Sequence, residues 1–411
     1  MYQSQLQAQA ILEWFPNLRK SLSKVVREKT QYYRVTEGRD LSEVTHKVLR
    51  KLDALPDSIT SRAGNTKELS PHLFHIPADA YGEPNATTIL AGRGNNVFAT
   101  IAETLWVYAG RNDITTLKRW LPRAVEFADD GRVWSSGYGP RIRSWINHNL
   151  KAFDQIEIVL RRLKAKADSR QAVIAIWDPA ADGVKEGSKD YACNIFLHFL
   201  VRDGGLNMYV TTRSNDIIFG VAINVFEWAF LGRYIASELR IPFLHYYQTG
   251  SSLHLYDWKG TTAKRVLETP YFPIPVVKTA ALAVPREEPR LTPGEMLRVC
   301  SELYHAAFTD RLDTLEASYF SPLPSRIADY AYALRAESKL DISGAEYLAE
   351  LRAVRYPPLL FSLLDAGMRR RKEALWLCKG FNELFADTAN EIAAARYLKR
   401  LYKATVGEKV S

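Results

Sequence analysis

Cysteine is scarce in this chain. The three residues, Cys193, Cys300 and Cys378, lie far apart and form no CxxC pair. That spacing argues against a zinc site or a disulfide framework and fits a reducing cytoplasm. No apolar run is long enough to span a bilayer. The first residues, MYQSQLQAQAILEWF, lack the basic-then-apolar order of a secretion signal, so a cytoplasmic protein without membrane attachment is expected. Internal repeats and low-complexity tracts are also missing, which excludes solenoids and long disordered tails. Acidic residues fall short of basic ones, 46 against 55, leaving a formal charge of +9. Such a balance points to anionic partners, either phosphorylated small molecules or nucleic acid.

What remains is a soluble globular composition, 47% hydrophobic and 25% charged, in 411 residues: one large domain or two ordinary ones. Helix-period patterns run through the first 55 residues, as in LSEVTHKVLRKLDAL. The turn-rich stretch from Pro56 to Asn96 predicts loop with short strands. NVFATIAETLWVYAG then predicts a helix stopped at Gly110, and FDQIEIVLRRLKAK a second amphipathic one. AVIAIWDP reads as a strand ended by proline. NIFLHFLV and LNMYVTT alternate across Asp203-Gly204-Gly205, a strong hairpin signal. INVFEWAFLGRYIASEL predicts a long apolar helix, and SSLHLYDW a returning strand. Helices mixed with a largely antiparallel sheet predict an α+β domain. After the proline-spaced segment TPYFPIPVV the pattern turns wholly helical. We therefore expect a catalytic unit over residues 1–278 and a helical C-terminal extension over 285–411, structural or partner-binding in role.

A lone cysteine on an apolar strand is most often core filling. Cys193 gains interest from the far end of its hairpin, where Arg213, Ser214 and Asp216 cluster beside Gly220 just before a helix. Guanidinium and hydroxyl donors at such a place suit a phosphate. A nearby guanidinium would also favour the thiolate, the form of cysteine that attacks.

In order along the chain, AETLWVYAGRND, FADDGRVWSSGYGPRIRSW, FDQIEIVLRRL, SRQAVIAIWDP, ACN, TTRSNDIIFGVAIN and SSLHLY resemble the core of thymidylate synthases and of the related pyrimidine hydroxymethylases. SRAGNTKEL resembles, more weakly, the mobile phosphate-binding arginine loop of that family. The resemblance spans roughly residues 60–278 and implies the thymidylate-synthase-like mixed sheet with packed helices. It implies 5,10-methylenetetrahydrofolate as co-substrate, no metal, a pyrimidine nucleoside 5′-monophosphate as substrate, and a homodimer.

By the same resemblance Cys193 is the thiolate that adds to pyrimidine C6, making C5 nucleophilic, and Glu103 moves protons during one-carbon transfer. Asn224 matches the base-reading asparagine and favours uracil, since the cytosine-specific relatives carry aspartate there. Tyr138 matches the tyrosine near the nucleophile. Phosphate binding falls to Arg213 and Ser214, with Arg62 from the mobile loop and Arg170 donated across the dimer interface. His254 and Tyr256 match the pair on the sugar 3′-hydroxyl. Asp216 matches the aspartate on the pterin ring, with Gly220 and Trp106 expected beside the folate.

Four departures from the synthase pattern stand out. Asn194 follows the nucleophile where synthases usually have histidine, and Gln171 replaces a second arginine beside Arg170. The tryptophans that wall the folate are not evident; a gapless count back from Tyr138 puts their places at Ala124 and Phe127. The end, ATVGEKVS, does not resemble the short tail that closes over the synthase site. A thinner wall admits water to an electrophilic C5 methylene, so the expected reaction is dUMP to 5-hydroxymethyl-dUMP. Thymidylate synthesis, a dCMP or CMP hydroxymethylase, and a non-catalytic nucleotide- or nucleic-acid-binding scaffold are the alternatives.

Overall fold

The computed structural model describes residues 34–276 apart from 57, 62, 91, 95 and 148, then 288–371, 384 and 388–406. The helical patterns read in the first 33 residues lie outside this range. Strand β1 (Arg34–Glu37) is followed by α1 (Leu41–Asp53), which Asp40 caps by accepting from the Glu43 amide. The first 55 residues are therefore not helical throughout: RVTE is a strand, because it pairs with a neighbour that no local pattern reveals.

β2 (Ile59–Ser61), β3 (Gly64–Leu69) and β4 (His72–Pro77) come next. Helix α2 (Val97–Tyr108) starts at Asn96, whose side chain accepts from the Ala99 amide at 3.2 Å, and stops at Gly110, where φ is +72°. After a short helix at Tyr138–Arg143 the two-residue strands β5 (Trp145–Ile146) and β6 (Ala152–Phe153) pair. α3 (Gln155–Ala165) follows, capped by Asp154. Then come β7 (Val173–Ala175), β8 (Asn194–Arg202), β9 (Gly205–Thr212), β10 (Asn215–Asp216), α4 (Gly220–Leu239), β11 (Phe243–Gly250), β12 (Leu253–Tyr256) and α5 (Gly260–Leu267). The rest is helical: α6 (Pro293–Phe308), α7 (Ser325–Lys339), α8 (Gly344–Leu351), α9 (Pro357–Arg371) and α10 (Thr388–Val406).

Six strands form one mixed sheet in the order β1-β4-β11-β9-β8-β7, and β10-β12-β3-β2 form a second. Most pairings are antiparallel; β1–β4, β9–β11 and β10–β12 are parallel. This is the α+β fold expected of the thymidylate synthase family. The β8–β9 hairpin turns at Asp203 and Gly204, both at positive φ (+55° and +79°), the pairing a two-residue turn of this hand requires. A bulge at Ile195 shifts the register between Asn194 and Phe196. It turns Asn194 inward on a strand whose other inward residues, Leu197 and Phe199, are odd-numbered.

Every residue of α2 is buried except Glu103. α4 covers one side of it, and α6, α7 and α9 cover others. The C-terminal helices thus share one hydrophobic core with the sheet. They are also fastened by charge. Buried Glu83 meets Arg233 of α4 at 2.5 Å and Arg326 of α7, while Arg233 also meets Glu288. Burial alone would push the Glu83 carboxyl up, but the two guanidiniums hold it below its ordinary value.

Candidate active site

The hairpin decides where the nucleophile stands. Its open end pairs Asn194 with Thr212, so the residues just outside the ladder, Cys193 and Arg213, face each other. The Arg213 amide donates to the Cys193 carbonyl at 2.9 Å, and Nη2 reaches the Cys193 Sγ at 3.9 Å. The guanidinium is held in place by donating to the Ala192 carbonyl at 2.8 Å, and it lies 5.9 Å from the Trp177 ring centre. Burial nonetheless pushes the Cys193 thiol above its ordinary value. Arg213 offsets only part of this and Asp216 adds to it. The depressed thiol expected from the sequence is therefore absent here, because desolvation outweighs one guanidinium.

Asn194 is fully buried. It donates from Nδ2 to the Tyr138 hydroxyl at 2.8 Å and accepts at Oδ1 from Trp228 Nε1 at 3.1 Å. The Tyr138 and Trp228 rings lie 5.4 Å apart. Burial drives the Tyr138 phenol well above the ordinary tyrosine range, and Cys193, Glu227 and Glu103 push it the same way.

Glu103 is the half-buried carboxyl of α2; burial raises it to about 8, and its Oε2 has no hydrogen-bond partner among the described residues. A carboxyl raised in this way keeps its proton to higher pH than an ordinary one, as a proton donor should. Asn224 is buried in the second turn of α4.

Asp216 lies in β10, on the rung beside His254 of β12. Its Oδ1 accepts from the Ile218 amide at 2.8 Å, and its Oδ2 is paired with Lys259. Lys259 in turn lies 5.0 Å from the Phe219 ring centre and 4.7 Å from that of Trp258, both of them exposed rings. A Cβ at Gly220 would come 2.5 Å from Asn215 Oδ1, so glycine lets α4 begin against this loop. Burial lowers the His254 imidazole, whose ring packs edge-on to Tyr256 at 4.8 Å. Ser214 sits half-buried between Arg213 and β10.

Three expected residues stand apart. Arg62 lies outside the described residues. Arg170 is exposed, and its carbonyl bonds His198 Nε2 at 3.1 Å at the edge of the large sheet. Trp106 is 1% exposed: its indole donates to the Asp113 carbonyl at 2.8 Å and packs edge-on to Trp134. It braces the core and offers no surface to a ligand. Trp134 in turn donates to the Ala124 carbonyl at 3.1 Å, so this pair supports the segment where the folate wall was sought. There Ala124 is buried and Phe127 is half exposed.

Sequence reasoning passed over Glu227, Trp228, Lys259 and Asp190. Asp190 anchors the loop before Cys193, accepting from the Ser135 amide at 2.5 Å and its hydroxyl at 2.9 Å. Glu227 carried a signal: it is the one charge in NVFEWAFL. No group of three or more metal-ligating side chains occurs among the described residues. Among them, too, no helix is long and apolar enough to cross a membrane.

The thymidylate synthase family model matches residues 83–287. Similar curated proteins include a deoxyuridylate hydroxymethyltransferase of Bacillus phage SP01, 34% identical over 206 residues that make up 49% of this chain and 53% of that one. Another of the same name, from Delftia phage PhiW-14, is 34% identical over 213 residues, covering 49% and 54%. A third, from Pseudomonas phage M6, is 33% identical over 192 residues, covering 44% and 53%. The chain thus spans about half the length of the curated relatives it matches.

Proposed function

We propose that this chain, whose residues 83–287 belong to the thymidylate synthase family, converts dUMP to 5-hydroxymethyl-dUMP with methylenetetrahydrofolate as one-carbon donor. The observation that carries the reading is Cys193 Sγ standing 3.9 Å from an arginine fixed at the open end of the same hairpin. The Arg213 guanidinium is a charged anchor for the nucleotide phosphate and, with Ser214, holds the pyrimidine over the thiol. The relatives named deoxyuridylate hydroxymethyltransferase support the choice of base and product.

The Cys193 thiolate adds to C6, and the electron pair of the ring moves to C5 and O4. The Asn224 amide offers a donor to O4 and an acceptor to N3–H, and so selects uracil. Tyr138, fixed by Asn194, faces the nucleophile. His254 and Tyr256 take the sugar hydroxyl. Asp216, Gly220 and the exposed Phe219 and Trp258 rings fit a flat polar heterocycle such as the pterin, provided Lys259 shares the Asp216 carboxylate. When bound, the folate supplies a one-carbon unit at the oxidation level of formaldehyde. Glu103, its carboxyl raised by burial, supplies and takes back the protons. Hydration of the resulting C5 methylene and expulsion of the Cys193 thiolate complete the reaction.

A homodimer belongs to the same reading. The outer face of the large sheet carries a row of half-buried rings, with Tyr209 on Tyr247 at 4.9 Å and Tyr247 on His75 at 4.4 Å. Arg170 stands at the edge of that row through His198. A self-complementary contact there would carry Arg170 to the phosphate of the other site. A reducing cytoplasm keeps Cys193 available.

Incubation with dUMP and methylenetetrahydrofolate, followed by mass measurement of the nucleotide, tests the reading. Hydroxymethyl product from the wild type and none from Cys193→Ala is expected. A methyl product with dihydrofolate released would refute it in favour of thymidylate synthesis.

A further inference from the structure

Glu227 lies one helical turn beyond Asn224 on α4. It is wholly buried, and neither of its carboxyl oxygens has a hydrogen-bond partner among the described residues. The titratable groups facing it are Glu103 and Tyr108 from α2, Tyr138 from the short helix and Tyr246 from β11. No cation figures in what sets its charge: burial and the neighbouring Glu103 both push it up. The backbone around it is fixed, since Tyr108 donates to the Glu227 carbonyl at 2.9 Å. The next residue, Trp228, holds Asn194 beside the nucleophile. A buried carboxyl with neither cation nor donor is costly and needs an explanation in function.

Glu227 and the half-buried Glu103, whose Oε2 is also unpartnered among the described residues, sit on adjacent helices and cannot both ionise near neutral pH, so the pair retains at least one proton. We propose that Glu227 is a second working carboxyl of the site, sharing one proton store with Glu103 and taking up the proton released when water adds to the C5 methylene. The inference rests on the hydroxymethylation reading above. In the step, water oxygen bonds the methylene carbon and its proton passes to the pair, which the earlier one-carbon transfer has left one proton short. The methylene π electrons move to the C4 oxygen. Collapse of that enolate forms the C5–C6 double bond, breaks the C6–S bond and returns Cys193 as thiolate. A single carboxyl must be acid and base in turn; a pair holding one proton is both at once.

The test uses the full chain with Glu227→Gln and Glu227→Ala. Adduct formation with 5-fluoro-dUMP reports folding and thiol addition. Products from dUMP and methylenetetrahydrofolate are weighed with and without 2-mercaptoethanol, and the alanine variant is assayed again in formate. Both variants should form the adduct at the wild-type rate. Hydroxymethyl product should form about 100-fold more slowly, with the added thiol capturing the methylene as a thioether. Formate should restore Glu227→Ala but not Glu227→Gln. An unchanged product rate in Glu227→Gln overturns the inference alone. So does loss of the adduct in both variants without recovery in formate, which marks a purely structural acid. A wild type that makes a methyl product overturns the hydroxymethylation reading and this inference together.

Discussion

Removing the Arg326 guanidinium should destabilise the whole molecule, sheet included. Arg326→Met keeps most of the side-chain volume but leaves Glu83, 5% exposed, with Arg233 as its only ion-pair partner among the described residues. It also removes a guanidinium 3.3 Å from the centre of the Tyr356 ring. Breaking one side of a buried ion pair costs about 3–5 kcal/mol, part of it retained here through Arg233. A desolvated cation–π contact adds about 2 kcal/mol. The expected loss is therefore about 4 kcal/mol, which moves a urea midpoint by roughly 1.3 M for a slope near 3 kcal/mol/M. Adding Glu83→Gln should recover the ion-pair share, about 2 kcal/mol, because the under-compensated carboxylate is gone while Arg233 keeps Glu288; the cation–π share stays lost. Tryptophan fluorescence, circular dichroism and loss of 5-fluoro-dUMP adduct formation should fall on one curve, as a shared core demands. A loss below about 1 kcal/mol, a double variant worse than the single, or adduct formation surviving the first transition would refute the argument.

Mixing Cys193→Ala with Arg170→Ala, each inactive alone, should regain about 25% of wild-type activity after subunit exchange, since half the dimers rebuild one complete site of two; no recovery excludes a donated arginine. Glu103, raised from 4.5 to about 8, holds its proton in the folded state after the unfolded chain has lost it. Stability therefore falls as pH rises from about 4.5 to 8 and stays low above. Glu103→Gln should abolish up to about 5 kcal/mol of that decline, read as melting temperature against pH. Asn194→Leu strands the Trp228 indole N–H and the Tyr138 hydroxyl in a dry site, at about 2–4 kcal/mol, measured by urea unfolding. Asn224→Asp should move preference from dUMP towards dCMP; unchanged relative kcat/KM would remove Asn224 from base reading.

Much of the site was legible because it sits on local patterns. Asp203-Gly204-Gly205 dictates a hairpin, and a hairpin brings Cys193 to Arg213 without knowledge of the rest. The helix of Glu103 announced its burial by being apolar all round. Other features depend on partners distant in sequence. The Ile195 bulge that turns Asn194 inward has no local signature. RVTE is a strand only because β4 lies beside it. Asp190 anchors its loop only through the Ser135 donors, 55 residues away in sequence. The side of the Glu103 helix that carries Trp106 likewise faces a partner distant in sequence, Trp134.

The cover over α2 also has a meaning during synthesis. The helix bearing Glu103 leaves the ribosome about 200 residues before α6 and more than 250 before α9, two of the helices that bury it. At roughly 5–20 residues per second, its apolar surface waits on the order of ten seconds or more for its last neighbours. For the later part of that interval the nascent chain carries Cys193 and Arg213 but not yet the helices that shelter Glu103. The shelter of Glu103 therefore arrives late in synthesis, and this chain should lean on chaperones more than its size alone suggests.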